Sequence, residues 1–537
     1  SIFEWFGYAG TTAGMILGES AYYLSIGLFL LFLAGFIVWL VCLSRYFHRR
    51  SLTISASFPF WKRGVVVLVG ACLIGLCIFG IRGRTGYNPI KVSAAYFCQD
   101  AFLNQLGVSP TFNLLTSVMD DMRPENKYLH LMDEQEAITK AQALLNRQGE
   151  VAVSPLAVYR HASKADSVQQ GRPNVVLIMM ESMSSKLMKH FGQSETLTPF
   201  LDSLYTRSIS FRNFYSAGIH TNHGLYATLY SFPAMMKRNL MKGSVIPRYS
   251  GLPTVLKENG YYNLFFMTHE GQYDNMNAFF RTNGYDEVFS QENYPADKVV
   301  NSFGVQDDFL YDYAIPVLNQ RAATGKPFFA TLLSISNHPP YVIPPFFHPK
   351  TSEPETQIVE YADWALRKFF EEARKQPWFD NTIFVLEGDH GKLVGDAECE
   401  LPESYNHIPL MIYSSRIHPE ERNTFGGQVD IQPTILGLLN IDYLQNNFGV
   451  DLLKEERPCM FYTADNMIVG RNDTLLYLYN YETQQEFTYH IDNGKLKAVP
   501  MDDLFLPLKE YSFSMLQSAE FLVKHGKTVN SVPFTQQ

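Results

Sequence analysis

The sequence predicts an α/β fold: a mostly parallel sheet with helices on both faces, preceded by membrane helices and followed by a small antiparallel subdomain. Three observations carry this. From Pro173 to about residue 455, short apolar runs alternate with helical stretches, the pattern of strands joined by crossover helices. Residues 21–44 and 64–81 carry no charge. After residue 455 the texture shifts to strands divided by turn residues. At 537 residues the chain exceeds one compact core, so several regions are expected. They are a membrane region 1–84, a helical arm and connector 85–172, a catalytic domain 173–455 and its C-terminal part 456–537.

The first uncharged run, 21–44, is long enough to cross a hydrocarbon core of roughly 30 Å, and 64–81 is near the lower limit. Buried core helices of a soluble protein would carry a polar stripe, which both runs lack. Arg45, Arg49, Arg50, Lys62 and Arg63 lie between the runs with no acid among them. Glu4 and Glu19 precede them, and Arg82, Arg84 and Lys91 follow. The basic loop is expected in the cytoplasm, which places everything after residue 82 outside. The start at Ser1 then already lies outside, so further spans are expected before it, in a multi-pass protein of the cytoplasmic membrane.

Net charge is −9 with no basic run in the soluble part, which argues against a nucleic-acid partner. Of the six cysteines, Cys98, Cys399 and Cys459 fall outside the spans; Cys399 with Cys459 is the expected pair if a disulfide forms. No CxxC spacing occurs.

Tyr87–Gly149 reads as amphipathic helices punctuated by Gly107, Pro110 and Pro124, an arm that lays the next domain against the bilayer. Residues 150–172 read as a polar connector. In the catalytic region, helices are expected at Thr198–Arg207, Asn222–Ser231, Leu252–Asn259, Asp307–Gln320 and Val359–Lys375. Asp492-Asn493-Gly494 marks a hairpin, and a last helix is expected near Ser512–His525.

Four strand-like runs end in chemically capable residues. Val175–Met180 leads to Glu181, Tyr262–Met267 to His269, Phe328–Ser334 to His338, and Thr382–Leu386 to Asp389-His390. In open α/β sheets ligands bind beyond the carboxyl ends of parallel strands, so these groups are expected on one edge. Glu181 alone is equally a helix N-terminal acid favoured by the macrodipole. Asp389-His390 sits in a glycine-flanked turn, where backbone can approach a ligand closely. Thr221 falls near a helix N-terminus, as a plain cap or as a hydroxyl beside amides that stabilise an alkoxide or phosphate. A neighbouring cation would favour the second role by making that hydroxyl a nucleophile. Glu181, Thr221, Asp389 and His390 form an oxygen-rich set with one imidazole, suited to Mn2+ or Mg2+ and less to Zn2+. His269, Asp274, Asn275, Arg281 and His338 have the chemistry to bind a phosphate and its polar head group. His407, entering the run IPLMIY, reads as either a further ligand or a core histidine.

The ordered segments VVLIMMES, HTNHG, HEGQYDNMNAFFRTNGYDEVF, SISNHPPY and GDHG resemble the lipoteichoic acid synthase family, membrane-anchored phosphoglycerol transferases of the alkaline phosphatase and sulfatase superfamily. The resemblance spans roughly residues 85–450, and DNMxxFFxxNGYD is its most specific part. It implies one manganese ion on Glu181, Thr221, Asp389 and His390, Thr221 as nucleophile, and head-group contacts from His269 and His338. It also implies transfer of phosphoglycerol from phosphatidylglycerol, through a covalent threonine adduct, to a glycan or lipid acceptor outside the cytoplasm. The Gram-positive synthases carry a Trp-x-Arg pair after the first histidine, whereas here the chain reads Asp274-Asn275-Met276, with Arg281 five residues later. Asn222-His223-Gly224 also departs from the Gram-positive pattern, and both changes resemble the Gram-negative branch. A phosphoethanolamine transferase is the rival on the same fold. A sulfatase would need a C/S-x-P-x-R motif, which is absent, and an inactive scaffold would not need all four centre residues.

Overall fold

The runs reserved for strands pair side by side in the computed structural model of the chain, which describes residues 23–54, 60–85, 89–98, 101–122, 128–147, 150–161, 172–243, 246–492 and 494–530. Two units emerge, one of residues 1–91 and 114–122 and one of 92–113 and 123–537.

In the first unit, α1 spans Tyr23–Ile54 and α2 spans Phe60–Arg82. Gly27–Arg49 and Gly64–Arg82 are long and apolar enough to cross a membrane, and neither window is buried in protein. Residues 21 and 22 of the first expected run, and residues 1–20, lie outside the described residues. The basic residues expected in a loop belong to helices instead: Arg45, Arg49 and Arg50 extend α1, and Lys62 and Arg63 open α2. Arg and Lys are good helix formers, so charge alone does not end a helix. Two candidate spans are what the described residues support.

Short helices follow: α3 (Ala101–Leu106), in the second unit; α4 (Pro110–Asp121), whose residues from Leu114 on belong to the first; and α5 (Glu134–Leu145), in the second. Asp133 caps α5 by accepting from the N–H groups of Gln135 and Glu136. The expected polar connector contains a strand, β1 (Val158–Arg160), paired antiparallel with Tyr443–Gln445. Buried Arg160 explains it: the guanidinium donates to the Leu145 carbonyl at 2.8 Å and so ties the connector to α5. Residues 162–171 of that connector lie outside the described residues.

The main sheet has eight strands: β2 (Asn174–Met180), β3 (Ile209–Tyr215), β4 (Tyr262–Met267), β5 (Glu287–Phe289), β6 (Phe328–Leu333), β7 (Thr382–Gly388), β8 (Leu410–Tyr413) and β9 (Glu420–Gly427). Their order is β5-β4-β6-β2-β7-β8-β3-β9, and every pairing is parallel except the two made by β8. Strand residues alternate between two cores. Val175, Leu177 and Met179 enter one; Val176, Ile178 and Met180 enter the other. Burial on both faces is why β2 reads as a continuous apolar run.

On one face lie α6 (Pro199–Tyr205), α10 (Asp307–Ala322) and α11 (Pro354–Ala373). The other carries α7 (Thr221–Tyr230), α8 (Leu252–Glu258), α9 (Met276–Thr282) and α12 (Ile431–Leu438). Beyond β10 (Tyr443–Gln445) comes the antiparallel meander expected from the sequence. Its strands are β11 (Met460–Thr463), β12 (Met467–Arg471), β13 (Leu475–Asn480), β14 (Glu486–Asp492) and β15 (Lys495–Ala498). Asp492 pairs with Lys495 across the expected hairpin, of which Asn493 lies outside the described residues. The last helix, α13 (Leu506–Lys524), begins earlier than expected because Phe505 and Leu508 are already buried. It packs against α5, whose apolar side needs a partner. Cys399 and Cys459 are not joined by a disulfide; Cys399 Sγ donates to the Leu401 carbonyl at 3.0 Å.

A buried ion pair ties this subdomain to the sheet. Arg457 Nε donates to Asp430 Oδ2 at 2.9 Å and its Nη1 to the Tyr511 hydroxyl on α13 at 2.6 Å. Asp430 also accepts from the N–H groups of Gly427 and Val450, just before α12 and just after β10. Replacing one partner strands the other charge out of water. Arg457→Met should lower unfolding free energy by about 3–5 kcal/mol, read from denaturant midpoints of the purified chain. An unchanged midpoint would show that the pair is not a keystone.

Candidate active site

Strand register builds the centre. Along the β2–β7 pairing Met180 faces Gly388, so the next residues, Glu181 and Asp389, leave the sheet side by side. Flanking β6 and β4 complete a contiguous row of four parallel strands whose ends carry the groups singled out above. Both carboxylate side chains are fully buried. Ser182 turns the chain with a φ of 51°, a costly conformation for serine that two bonds secure. Its N–H donates to Asp389 Oδ1 at 2.8 Å and its hydroxyl to Glu181 Oε1 at 2.7 Å.

His390 adds the imidazole. Its Nδ1 lies 2.8 Å from the Gly391 carbonyl, which can only accept, so the ring proton sits on Nδ1. Nε2 is the ring atom turned to the carboxylates, 3.8 Å from Glu181 Oε1 and 3.6 Å from Asp389 Oδ2. One ligand atom from each of the three residues lies within 4.8 Å of the others. Burial, and then the neighbouring Asp389, push the Glu181 carboxyl well above the usual carboxylate range. Asp389 Oδ2 is buried with no donor among the described residues. Two dry carboxylates, one of them with an orphaned oxygen, and an imidazole form a donor set that fits a divalent cation.

Thr221 is the first residue of α7, after His220 at the cap position, so it is not the capping residue. Its hydroxyl instead points at the centre, with Oγ1 3.4 Å from Glu181 Oε2. The orphan amides of the first turn and the helix dipole lie beside it. Gly224, one turn on, lets α7 lie against the Asp389 turn, since a Cβ there would collide with the Asp389 carbonyl oxygen. Gln428 locks the same contact: its amide donates to that carbonyl at 2.7 Å and accepts from the Ala217 N–H at 2.9 Å.

The second group divides. His269 is buried with Nδ1 unpartnered among the described residues, its ring 4.6 Å from Tyr273. Burial lowers its pKa to about 4, against the pull of Asp274. His338 donates from Nδ1 to the Pro339 carbonyl at 2.6 Å and rests on Phe303. Asp274 pairs with Lys242 at 2.7 Å and accepts from Asn222, the residue after Thr221, at 3.3 Å. Three expected contacts are engaged elsewhere. Asn275 donates to the Met241 carbonyl at 2.8 Å. Arg281 bonds Asn277 Oδ1 on its own helix at 2.8 Å, and half-buried it faces β5. His407 donates to the Arg212 carbonyl at 2.8 Å and stacks on Tyr215, which makes it a brace between β3 and β8.

Asn337 and Lys392 were missed by sequence reasoning. Asn337 donates to the carbonyls of Glu181 and Ser182 at 3.1 and 3.2 Å, and accepts from Lys392 Nζ at 2.7 Å. Burial pushes the Lys392 pKa down to about 8, opposed by Glu355 and Glu181. A lysine set two residues past His390 and before an apolar pair was the available signal.

The profile of the family described as Sulfatase matches residues 173–441. The chain belongs to the sulfatase family. Its similarity to lipoteichoic acid synthases bears out the resemblance read from the motifs. Lipoteichoic acid synthase 1 of Bacillus subtilis (strain 168) is 25% identical over 354 residues, which cover 60% of this chain and 54% of that protein. The lipoteichoic acid synthase of Staphylococcus saprophyticus is 24% identical over 320 residues, covering 53% and 48%. The chain thus spans about half the length of the curated relatives it matches. Among solved structures, a protein in the alkaline phosphatase superfamily from Vibrio parahaemolyticus aligns with a TM-score of 0.66 at 25% identity, over 75% of this chain and 98% of that one. The lipoteichoic acid synthase LtaP from Listeria monocytogenes shares the fold, with a TM-score of 0.59 at 20% identity over 72% and 98%.

His269 yields a pH prediction. In the unfolded chain its imidazole takes a proton near pH 6.5, whereas the folded site resists until about pH 4. Between those values the unfolded state binds more protons, so stability is lost as pH falls through that window. His269→Gln should lessen the drop in denaturant midpoint between pH 7 and pH 5 by the equivalent of about 2 kcal/mol.

Proposed function

We propose that the chain is a metal-dependent phosphoglycerol transferase that takes its donor from phosphatidylglycerol at the outer face of the cytoplasmic membrane. The observation that carries this reading is the Thr221 hydroxyl at a helix N-terminus, 3.4 Å from a buried carboxylate of the Glu181, Asp389 and His390 cluster. A hydroxyl built into the centre suits a covalent intermediate, from which an acceptor can take the group.

Glu181, Asp389 and His390, with Thr221, would hold one divalent cation, Mn2+ by the family resemblance. Such an ion lowers the pKa of a bound hydroxyl and offsets charge on a phosphoryl group. Thr221 Oγ1 attacks phosphorus and gives up its proton on the side of Glu181 Oε2. The phosphorus–oxygen bond to diacylglycerol breaks, and that oxygen takes up the proton Thr221 released, relayed by water. Phosphoglycerol is then held on Thr221. An acceptor hydroxyl on a glycan or lipid attacks the same phosphorus, the bond to Thr221 breaks, and the acceptor's proton passes to Oγ1. The amides at the start of α7 orient the phosphoryl group. His269, with Asp274 drawn in through Asn222, and His338, whose Nδ1 is engaged by the Pro339 carbonyl, are assigned to the glycerol hydroxyls.

The two candidate spans would anchor the protein, with residues 85–172 as the arm that holds the catalytic region near its lipid. A phosphoethanolamine transferase would use the same centre, and the donor experiment separates the two.

Labelled phosphatidylglycerol and phosphatidylethanolamine, supplied separately, should give a phosphoglycerol adduct on Thr221 from the first only, read by peptide mass. Thr221→Ala should cut transfer by at least about a thousandfold while the fold and bound metal persist. Turnover at the parent rate would overturn the covalent scheme. Asp389→Asn should lower manganese content, measured by elemental analysis, before any effect on secondary structure.

A further inference from the structure

The centre is acidic, and a phosphodiester adds another negative charge, so some cation of the chain should meet it. The nearby candidates can be taken in turn. Lys242 is neutralised by Asp274 at 2.7 Å, and Lys186 by Glu398 at 2.9 Å. Arg281 is turned toward Asn277 and the Val288 carbonyl. Lys392 differs from all three. No ion pair involves it among the described residues, and its ammonium is held by one amide oxygen, Asn337 Oδ1, at 2.7 Å. The same Asn337 donates to the backbone carbonyls of Glu181 and Ser182, so two hydrogen bonds link Lys392 Nζ to the turn that carries the centre. The Tyr341 ring, with its centroid 5.2 Å from Nζ, backs the ammonium on another side. A half-buried ammonium with one neutral acceptor keeps two of its three donors for a ligand.

We propose that Lys392 binds a phosphoryl oxygen of the substrate, as the cation that offsets the charge brought to the Glu181–Asp389 centre. This rests on the transferase reading only in taking a phosphoryl group as the ligand, and it holds for either donor lipid. Asn337 acts as the positioning residue. It aims the ammonium and, from the same amide, fixes the Glu181–Ser182 turn, so cation and carboxylates keep a constant separation.

The test uses the full chain in detergent with manganese present and inorganic phosphate as the probe, titrated by calorimetry. Lys392→Met should weaken phosphate binding by about tenfold to a hundredfold, the worth of one charge-assisted hydrogen bond. Manganese content should equal that of the parent, and Lys392→Arg should restore most of the affinity. Lys392→Gln, which keeps a donor for Asn337, replaces the methionine variant should that one fail to fold. Phosphate affinity within about twofold of the parent in these variants overturns the proposal. So does loss of manganese in step with phosphate, which would mark Lys392 as a prop for Glu181, and so does a parent that binds no phosphate. Transfer from phosphatidylglycerol is measured separately, so a parent that binds phosphate through Lys392 but does not transfer would sink the functional reading alone.

Discussion

Two buried carboxylates that emerge from adjacent parallel strands are the constraint to which the rest of the site answers. Register alone places Glu181 against Asp389, and neither reaches water. Such a pair is unfavourable in a dry interior unless donors or a cation intervene. The surrounding residues supply donors from every side. Ser182 accepts a left-handed conformation to give two of them. The His390 N–H gives Asp389 another at 2.7 Å. One Asp389 oxygen is left over, and His390 Nε2 faces it at 3.6 Å.

The nucleophile is brought in by packing rather than by strand order. Helix α7 abuts the Asp389 turn because Gly224 has no side chain and because Gln428 bridges the two backbones. That approach sets Thr221 beside Glu181. The ion pair of Arg457 with Asp430 then holds the corner that carries Gln428, two residues before Asp430, against the C-terminal helix. Stability of the subdomain is in this way coupled to the position of a hydroxyl in the centre.

Much of the architecture was legible. Strands buried on both faces betray themselves as unbroken apolar runs, and β2, β4, β6 and β7 proved to be neighbours with their marked residues on one edge. The remainder depended on contacts between distant segments. Arg281 read as a phosphate ligand because a free guanidinium suits one; Asn277, one turn before it, takes that guanidinium instead. His407 stood open between ligand and core, and the Tyr215 ring with the Arg212 carbonyl decided for the core. Cys399 with Cys459 was the expected pair if a disulfide formed, and in the fold no disulfide joins them. No local pattern announces which partner a side chain will find, since the partner lies far along the chain.

The sequence by itself determined the alternation of strands and helices, the two apolar spans, and the residue types at the strand ends. Those follow from local propensity, hydrophobic period and the chemistry of single side chains. Only the tertiary structure decided which of those residues share a centre. Glu181 and Asp389 are 208 positions apart in the chain, yet they are neighbours because Met180 pairs with Gly388. Lys392 gained its place through Asn337, 55 positions before it. Register and side-chain reach are properties of the folded sheet, and one residue of slip would have turned either carboxylate away.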